Sequence, residues 1–166
     1  DSSSAASDVY KRQMLEDKLK EILDDCFQNR NDLFLIDFKV VNANDITITV
    51  DGDNGVAVED CMHISRFIES QLDRDEYDFS LEVTSCGAYS DLVKLRQYKK
   101  HLGRVLSVKT QNENYEGMLT ELNKNSIVLN WKQREPKKIG KGKVTVNKSV
   151  DINFLDITEA KVKVKI

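Results

Sequence analysis

The chain is poor in the residues that punctuate or decorate a fold. It has one proline, seven glycines, one tryptophan and two histidines in 166 residues. Its three cysteines, Cys26, Cys61 and Cys86, stand far apart with no CxxC pair. That spacing argues against a disulfide scaffold and a zinc site and for reduced thiols in a cytoplasmic protein, with Cys26 and Cys61 as single buried thiols. No apolar run approaches the roughly 18–20 residues of a membrane span, and no charged-then-apolar leader opens the chain.

Catalytic signatures are equally scarce. There is no GxxxxGK phosphate loop, no GxGxxG and no HExxH. His63 lies on a predicted helix beside Arg66 and His101 falls in the other half of the chain; neither has a nearby Ser or Cys with an orienting carboxylate. Asp51, Asp53, Glu59 and Asp60 depart from the spacing of a calcium loop, and no bidentate Glu ends the cluster. They read as turn residues and the acidic first turn of a helix. Neither an enzyme nor a cofactor or metal is expected.

What the chain does have is charge, and it is unevenly divided. Residues 1–90 hold 20 Asp/Glu and 8 Lys/Arg, a net of −12, while residues 91–166 hold 8 and 17, a net of +9. Together they give the overall −3. A basic half beside an acidic half favours an anionic polymer on one side without making the whole protein a sticky polycation, and the change of sign marks a domain boundary.

The opening residues 1–8 are small and polar and are read as a disordered tail. Leu15, Leu19, Ile22, Leu23 and Cys26 recur at helical spacing, which predicts an amphipathic helix over about 9–29. Residues 33–41 and 46–50 read as strands, since Ile46, Ile48 and Val50 alternate with Thr47 and Thr49. A second helix is expected with Val58, Cys61, Met62, Ser65, Ile68 and Leu72 inward, then a strand carrying Phe79, Leu81 and Val83. This α-β-β-α-β order places 9–90 in an acidic domain with helices on one face of a three-stranded sheet. A linker helix (91–102) follows. Five short β runs, 104–109, 115–122, 126–132, 144–153 and 161–166, then suggest a small closed barrel over 103–166. The longest loop, 135–142, holds the single proline, Pro136.

The candidate binding residues are basic. Arg96, Lys99, Lys100 and Arg104 cluster around the linker helix. Lys132, Arg134, Lys137, Lys138, Lys141 and Lys143 crowd the end of the third barrel strand and its loop, beside Trp131. Lys161, Lys163 and Lys165 share one face of the last strand, where plain solvation of the surface is the favoured reading. Flexible lysines near glycines suit phosphate contacts, which give affinity without reading sequence. Trp131 and Tyr115 alternate with other apolar residues and are expected in the core rather than on stacked bases.

Several stretches resemble the bacterial ribosome maturation factor RimP family. They are Gly55-Val-Ala-Val-Glu-Asp-Cys61, Ser65-Arg66, Leu81-Glu-Val-Thr-Ser85 with Gly87, Arg96-Gln-Tyr98, Leu102-Gly-Arg104, Glu116-Gly-Met-Leu119 and Ile152-Asn-Phe-Leu-Asp-Ile157 with Ala160-Lys161. The resemblance runs in order from about residue 14 to the end. It implies an α+β protein with a KH-like N-terminal domain and a small SH3/Sm-like β-barrel. It also implies a non-enzymatic factor that binds the immature free small ribosomal subunit, docks on a small-subunit ribosomal protein beside rRNA, and assists maturation. On this reading the protein is a cytoplasmic monomer with no membrane partner. Two departures stand out. The family's Ser-Pro-Gly-Leu-Asp-Arg-Pro loop reads Ser85-Cys-Gly-Ala-Tyr-Ser-Asp-Leu92 here, and Ala57 stands where a Thr or Ser usually caps the second helix. The alternative is a free-standing RNA chaperone or regulator of the Sm-like or KH type, although no GxxG loop lies between two helices.

Overall fold

A computed structural model describes residues 2–42 and 44–164. The chain divides into two compact units, Asp1–Cys86 and Gly87–Ile166. Both helices and sheets are present, so the protein is mixed α+β, and no helix among the described residues is long and apolar enough to cross a membrane.

The first unit runs α1 (Ser2–Asn29), β1 (Leu33–Val41), β2 (Asp45–Gly52), α2 (Val58–Gln71) and β3 (Ser80–Ser85). β1 and β2 pair antiparallel, with a bulge between Leu35 and Asp37, and β2 pairs parallel with β3. The parallel pair needs a crossover, which α2 supplies. The buried positions are those the periodicity marks: Leu15, Leu19, Ile22, Leu23 and Cys26 from α1 meet Ile46, Ile48 and Val50 from β2. Burial raises the pKa of Cys26, against a smaller opposing pull from Arg30.

Two details correct the sequence reading. α1 reaches back to Ser2, over the stretch read as a disordered tail. Extending an existing helix avoids the cost of nucleating one, and Ala5 and Ala6 are strong helix formers. On α2 the inward face is not centred on Val58 and Met62, which are 73% and 45% exposed. Ile64 and Ile68 are fully buried instead, with Cys61 and Ser65 half-buried on the same face. That is an i, i+3, i+4, i+7 stripe, and the first turn of the helix lies outside it.

The second unit contains β4 (Val105–Thr110), β5 (Asn114–Leu122), β6 (Ser126–Pro136), β7 (Lys143–Asn153) and β8 (Ile157–Val162). They form one five-stranded sheet in the order β7-β6-β5-β4-β8. The expected closure into a barrel is not found: β7 and β8 are edges, and no pairing joins them among the described residues. The sheet still wraps a core of Leu106, Val108, Leu119, Ile127, Leu129 and Ile152. The β8 edge is partly occupied, because the Leu92 N–H donates to the Ala160 carbonyl at 2.7 Å. The last strand starts at Ile157 rather than 161 and ends at Val162; Lys165 and Ile166, assigned to it from sequence, lie outside the described residues.

The segment read as a linker helix is a 3-10 helix, Leu95–His101, and it belongs to the second unit. Tyr98 is fully buried in that core, its ring edge-on to Phe154 at 6.2 Å. The side chain of Gln97 turns back to accept from the N–H groups of Val93 and Lys94 at 2.7 and 2.8 Å. This satisfies donors that the start of a helix leaves open.

Candidate nucleic-acid interface

The first basic cluster sits at the start of the second unit. Arg96, Lys99 and Lys100 are on the 3-10 helix, and Arg104 follows Gly103, whose φ of 87° makes the turn into β4. Arg96, Lys99 and Arg104 are exposed, whereas Lys100 is half-buried.

The second cluster lies along the β6–β7 hairpin. The strands stay paired from Ser126↔Asn153 to Pro136↔Lys143, so β6 continues four residues beyond its expected end at 132. The loop shrinks to 137–142, and it closes through the Lys137 N–H donating to the Gly142 carbonyl at 3.1 Å. Gly140 and Gly142 adopt φ of 84° and 102°, a left-handed backbone that side chains disfavour. Lys137, Lys138 and Lys141 are exposed in this loop, beside an Ile139 that is 90% exposed.

Register sorts the remaining cations. Directly paired residues of an antiparallel ladder project to the same side. Lys132↔Asn147, Arg134↔Thr145 and Pro136↔Lys143 therefore put Lys132, Arg134 and Lys143 on one face, away from the core side that Ile127, Leu129 and Trp131 define. The opposite face carries Trp131, Gln133, Glu135 and Lys148. There the indole Nε1 donates to Gln133 at 3.2 Å and Lys148 Nζ lies 2.9 Å from Glu135. Trp131 and Tyr115 pack on the core with ring centroids 6.2 Å apart.

Ion pairing separates these lysines from those of the last strand. Lys161 Nζ is 3.2 Å from Glu159 and 3.4 Å from Asp91, and Lys163 Nζ is 2.7 Å from Glu116. Glu159 first, then Asp91, raises the Lys161 pKa, and Lys161 in turn lowers that of Glu159. Among the described residues, Lys132, Arg134, Lys137, Lys138, Lys141 and Lys143 have no carboxylate within salt-bridge distance; Arg134 donates only to the Thr145 hydroxyl, at 3.0 Å.

Sequence reading did not reveal a groove of about 710 Å3 at the root of the hairpin. A row of cross-strand neighbours, Val105, Met118, Asn130 and Ser149, crosses its floor, with Lys132 at the rim. Beside that row, Gly117 pairs with the buried Leu106, and a Cβ there would stand 2.9 Å from the Asn130 carbonyl oxygen and 3.2 Å from Trp131 Cε3. The glycine was visible in Glu116-Gly-Met-Leu119, but its opposing strand was not.

The acidic cluster of the first unit is occupied with structure. Asp60 accepts from the Ala57 N–H at 2.9 Å and pairs with Arg30, and among the described residues no group of three His, Cys, Asp or Glu side chains is placed to hold a metal ion.

Comparison with known proteins adds the remaining observations. The RimP N-terminal domain family model matches residues 19–89. The Ribosome maturation factor RimP of Christiangramia forsetii is 52% identical over 151 residues, covering 91% of this chain and 99% of its own. That of Flavobacterium psychrophilum is 47% identical, covering 87% and 94%. At such identity over nearly the whole of both chains, taken with the α-β-β-α-β unit followed by a five-stranded sheet, the chain belongs to the ribosome maturation factor RimP family.

Proposed function

We propose that the protein is a non-enzymatic ribosome assembly factor that binds the immature free small ribosomal subunit, through a ribosomal protein and rRNA, and assists its maturation. Its relatives carry the name ribosome maturation factor. In this reading it acts in the cytoplasm as a monomer and turns over no substrate. The strand order β7-β6-β5-β4-β8 around one core supports reading the second unit as the SH3/Sm-like module that the resemblance implies. The first unit, net acidic, limits binding to bulk RNA.

The observation that carries the proposal is the set of six exposed cations on and around the β6–β7 hairpin with no carboxylate at salt-bridge distance among the described residues. Such cations release counterions when they meet phosphates, so their binding weakens steeply with salt. The test is co-sedimentation with free small subunits across a salt series. Charge reversal at Lys137, Lys138 and Lys141 is expected to weaken association and flatten its salt dependence; unchanged co-sedimentation at every salt concentration would count decisively against the proposal. A protein that captures naked RNA from lysate without the subunit would favour the free-standing RNA chaperone instead.

A further inference from the structure

We propose that the distal half of the β6–β7 hairpin is a rigid arm laid along double-helical RNA, with only its outer face in contact. Lys132, Arg134 and Lys143 meet phosphates there, Thr145 and Asn147 face the sugar edge, and the inner face is a brace. This deepens the proposed function and rests on it.

Each strand of the hairpin is 11 residues long, about 37 Å at the usual rise. Pairing with β5 covers less than half of that length on β6. β5 pairs with β6 only from Leu122↔Ile127 to Met118↔Asn130. Beyond Asn130, β7 is the only strand beside β6 among the described residues, and from Lys132 to Asn147 just Glu135 and Val146 are even half-buried. A two-stranded ribbon alone is marginal in water. This one is braced from its inner side by the run from Trp131 to Gln133 and by the Lys148–Glu135 pair, which bridges the two strands. On the outer side the Arg134–Thr145 hydrogen bond also crosses between strands.

The two faces therefore differ in electrostatics. Inside, the one carboxylate of the arm is matched by Lys148. Outside, three cations share a face with two neutral polar residues, Pro136 and no acid. Beyond Lys132 the only apolar side chain on that face is Pro136, and the apolar groove that Val105 and Met118 line lies at its root, so this stretch offers few of the anchors on which protein interfaces depend. Unopposed cations with small hydrogen-bonding groups between them suit phosphates and 2′-hydroxyls. The minor groove of an RNA duplex displays both across a wide, shallow surface that admits a flat ribbon, and it is recognised by shape.

The test uses the full-length chain, a 20-base-pair RNA duplex, the matching single strand, and free small subunits. The triple variant Lys132→Ala, Arg134→Ala, Lys143→Ala is compared with Lys109→Ala, Lys161→Ala, Lys163→Ala. Both remove three charges, but the second set sits on carboxylates. The outer-face variant is expected to lose at least tenfold in duplex affinity, with a salt slope shallower by about 2 to 3. The control should remain within about twofold of the native chain. Equal losses in the two variants would overturn the proposal, since net charge alone would then explain the binding. Tighter binding of the single strand than of the duplex would overturn it as well. Subunit binding that survives the outer-face substitutions sinks the arm and leaves the assembly role standing; duplex binding without any subunit binding sinks the assembly role and leaves the arm.

Discussion

Arg30 Nη2 stands 2.8 Å from Asp60 Oδ1, joining the residue just beyond α1 to the first turn of α2. The other oxygen of Asp60 accepts from the Ala57 N–H at 2.9 Å. Ala57 cannot cap α2 with its own side chain, so the acidic member three residues on performs its half of a capping box alone. Arg30 also reaches Asp32 at 3.2 Å, so one guanidinium links α1, the start of β1 and α2.

Removing that carboxylate is expected to destabilise the first unit in a pH-dependent way. Asp60→Ala should cost about 1 kcal/mol near neutrality. The hydrogen bond from Ala57, then that from Arg30, holds the Asp60 carboxyl below its ordinary 3.8. A depressed acid contributes its stability above the unfolded value and loses it as the pH falls through the folded one. Urea unfolding of both proteins at pH 6.5 and about pH 2.5 checks this: the gap should narrow at the lower pH, and a constant gap would refute the assignment.

Gly117 has no room for a methyl group. The atoms a Cβ would meet are a backbone carbonyl at 2.9 Å and the Trp131 ring at 3.2 Å, and the carbonyl cannot yield without shifting β6. Gly117→Ala should cost about 1–3 kcal/mol, enough to lower the melting temperature of a domain this size by several degrees. Trp131 is the single tryptophan, so its fluorescence reports the transition. A melting point equal to that of the native chain would show that the sheet accommodates the methyl freely.

Alkali should single out Tyr98. Its hydroxyl is buried with no protein hydrogen-bond partner, and burial pushes its pKa from 10 to about 12. A raised value means the stability is intact below pH 10 and is lost as the pH climbs toward 12, by up to about 1.4 kcal/mol per unit. Tyr98→Phe removes the ionisation and, having no hydrogen bond to break, should change stability by less than about 1 kcal/mol at pH 7. Denaturant titrations at pH 7 and 11 should show the variant gaining on the native chain at the higher pH; parallel behaviour would exclude this role.

The elements of the first unit were legible because burial leaves a local trace. Leu15, Leu19, Ile22 and Leu23 repeat at the helical period, and Ile46, Ile48 and Val50 at the strand period, and all are buried. The α2 face was less legible: Val58 and Met62 are apolar but sit outside the stripe that Ile64 and Ile68 define. The length of β6 was hidden by Pro136, which reads as a loop residue yet ends an edge ribbon where its missing N–H is harmless. The basic character of the hairpin could be read directly, but its two-faced arrangement could not.

The sequence by itself determined the kinds of element, the acidic and basic halves and the family, since these depend on residue identity and short-range order. Only the tertiary structure decided which lysines are spent on carboxylates. Lys163 finds Glu116 on β5, 47 positions away in the chain, while Lys132, Arg134 and Lys143 face outward with no carboxylate within salt-bridge distance among the described residues. Electrostatic pairing depends on separation in space, and strand register, not sequence distance, sets that separation.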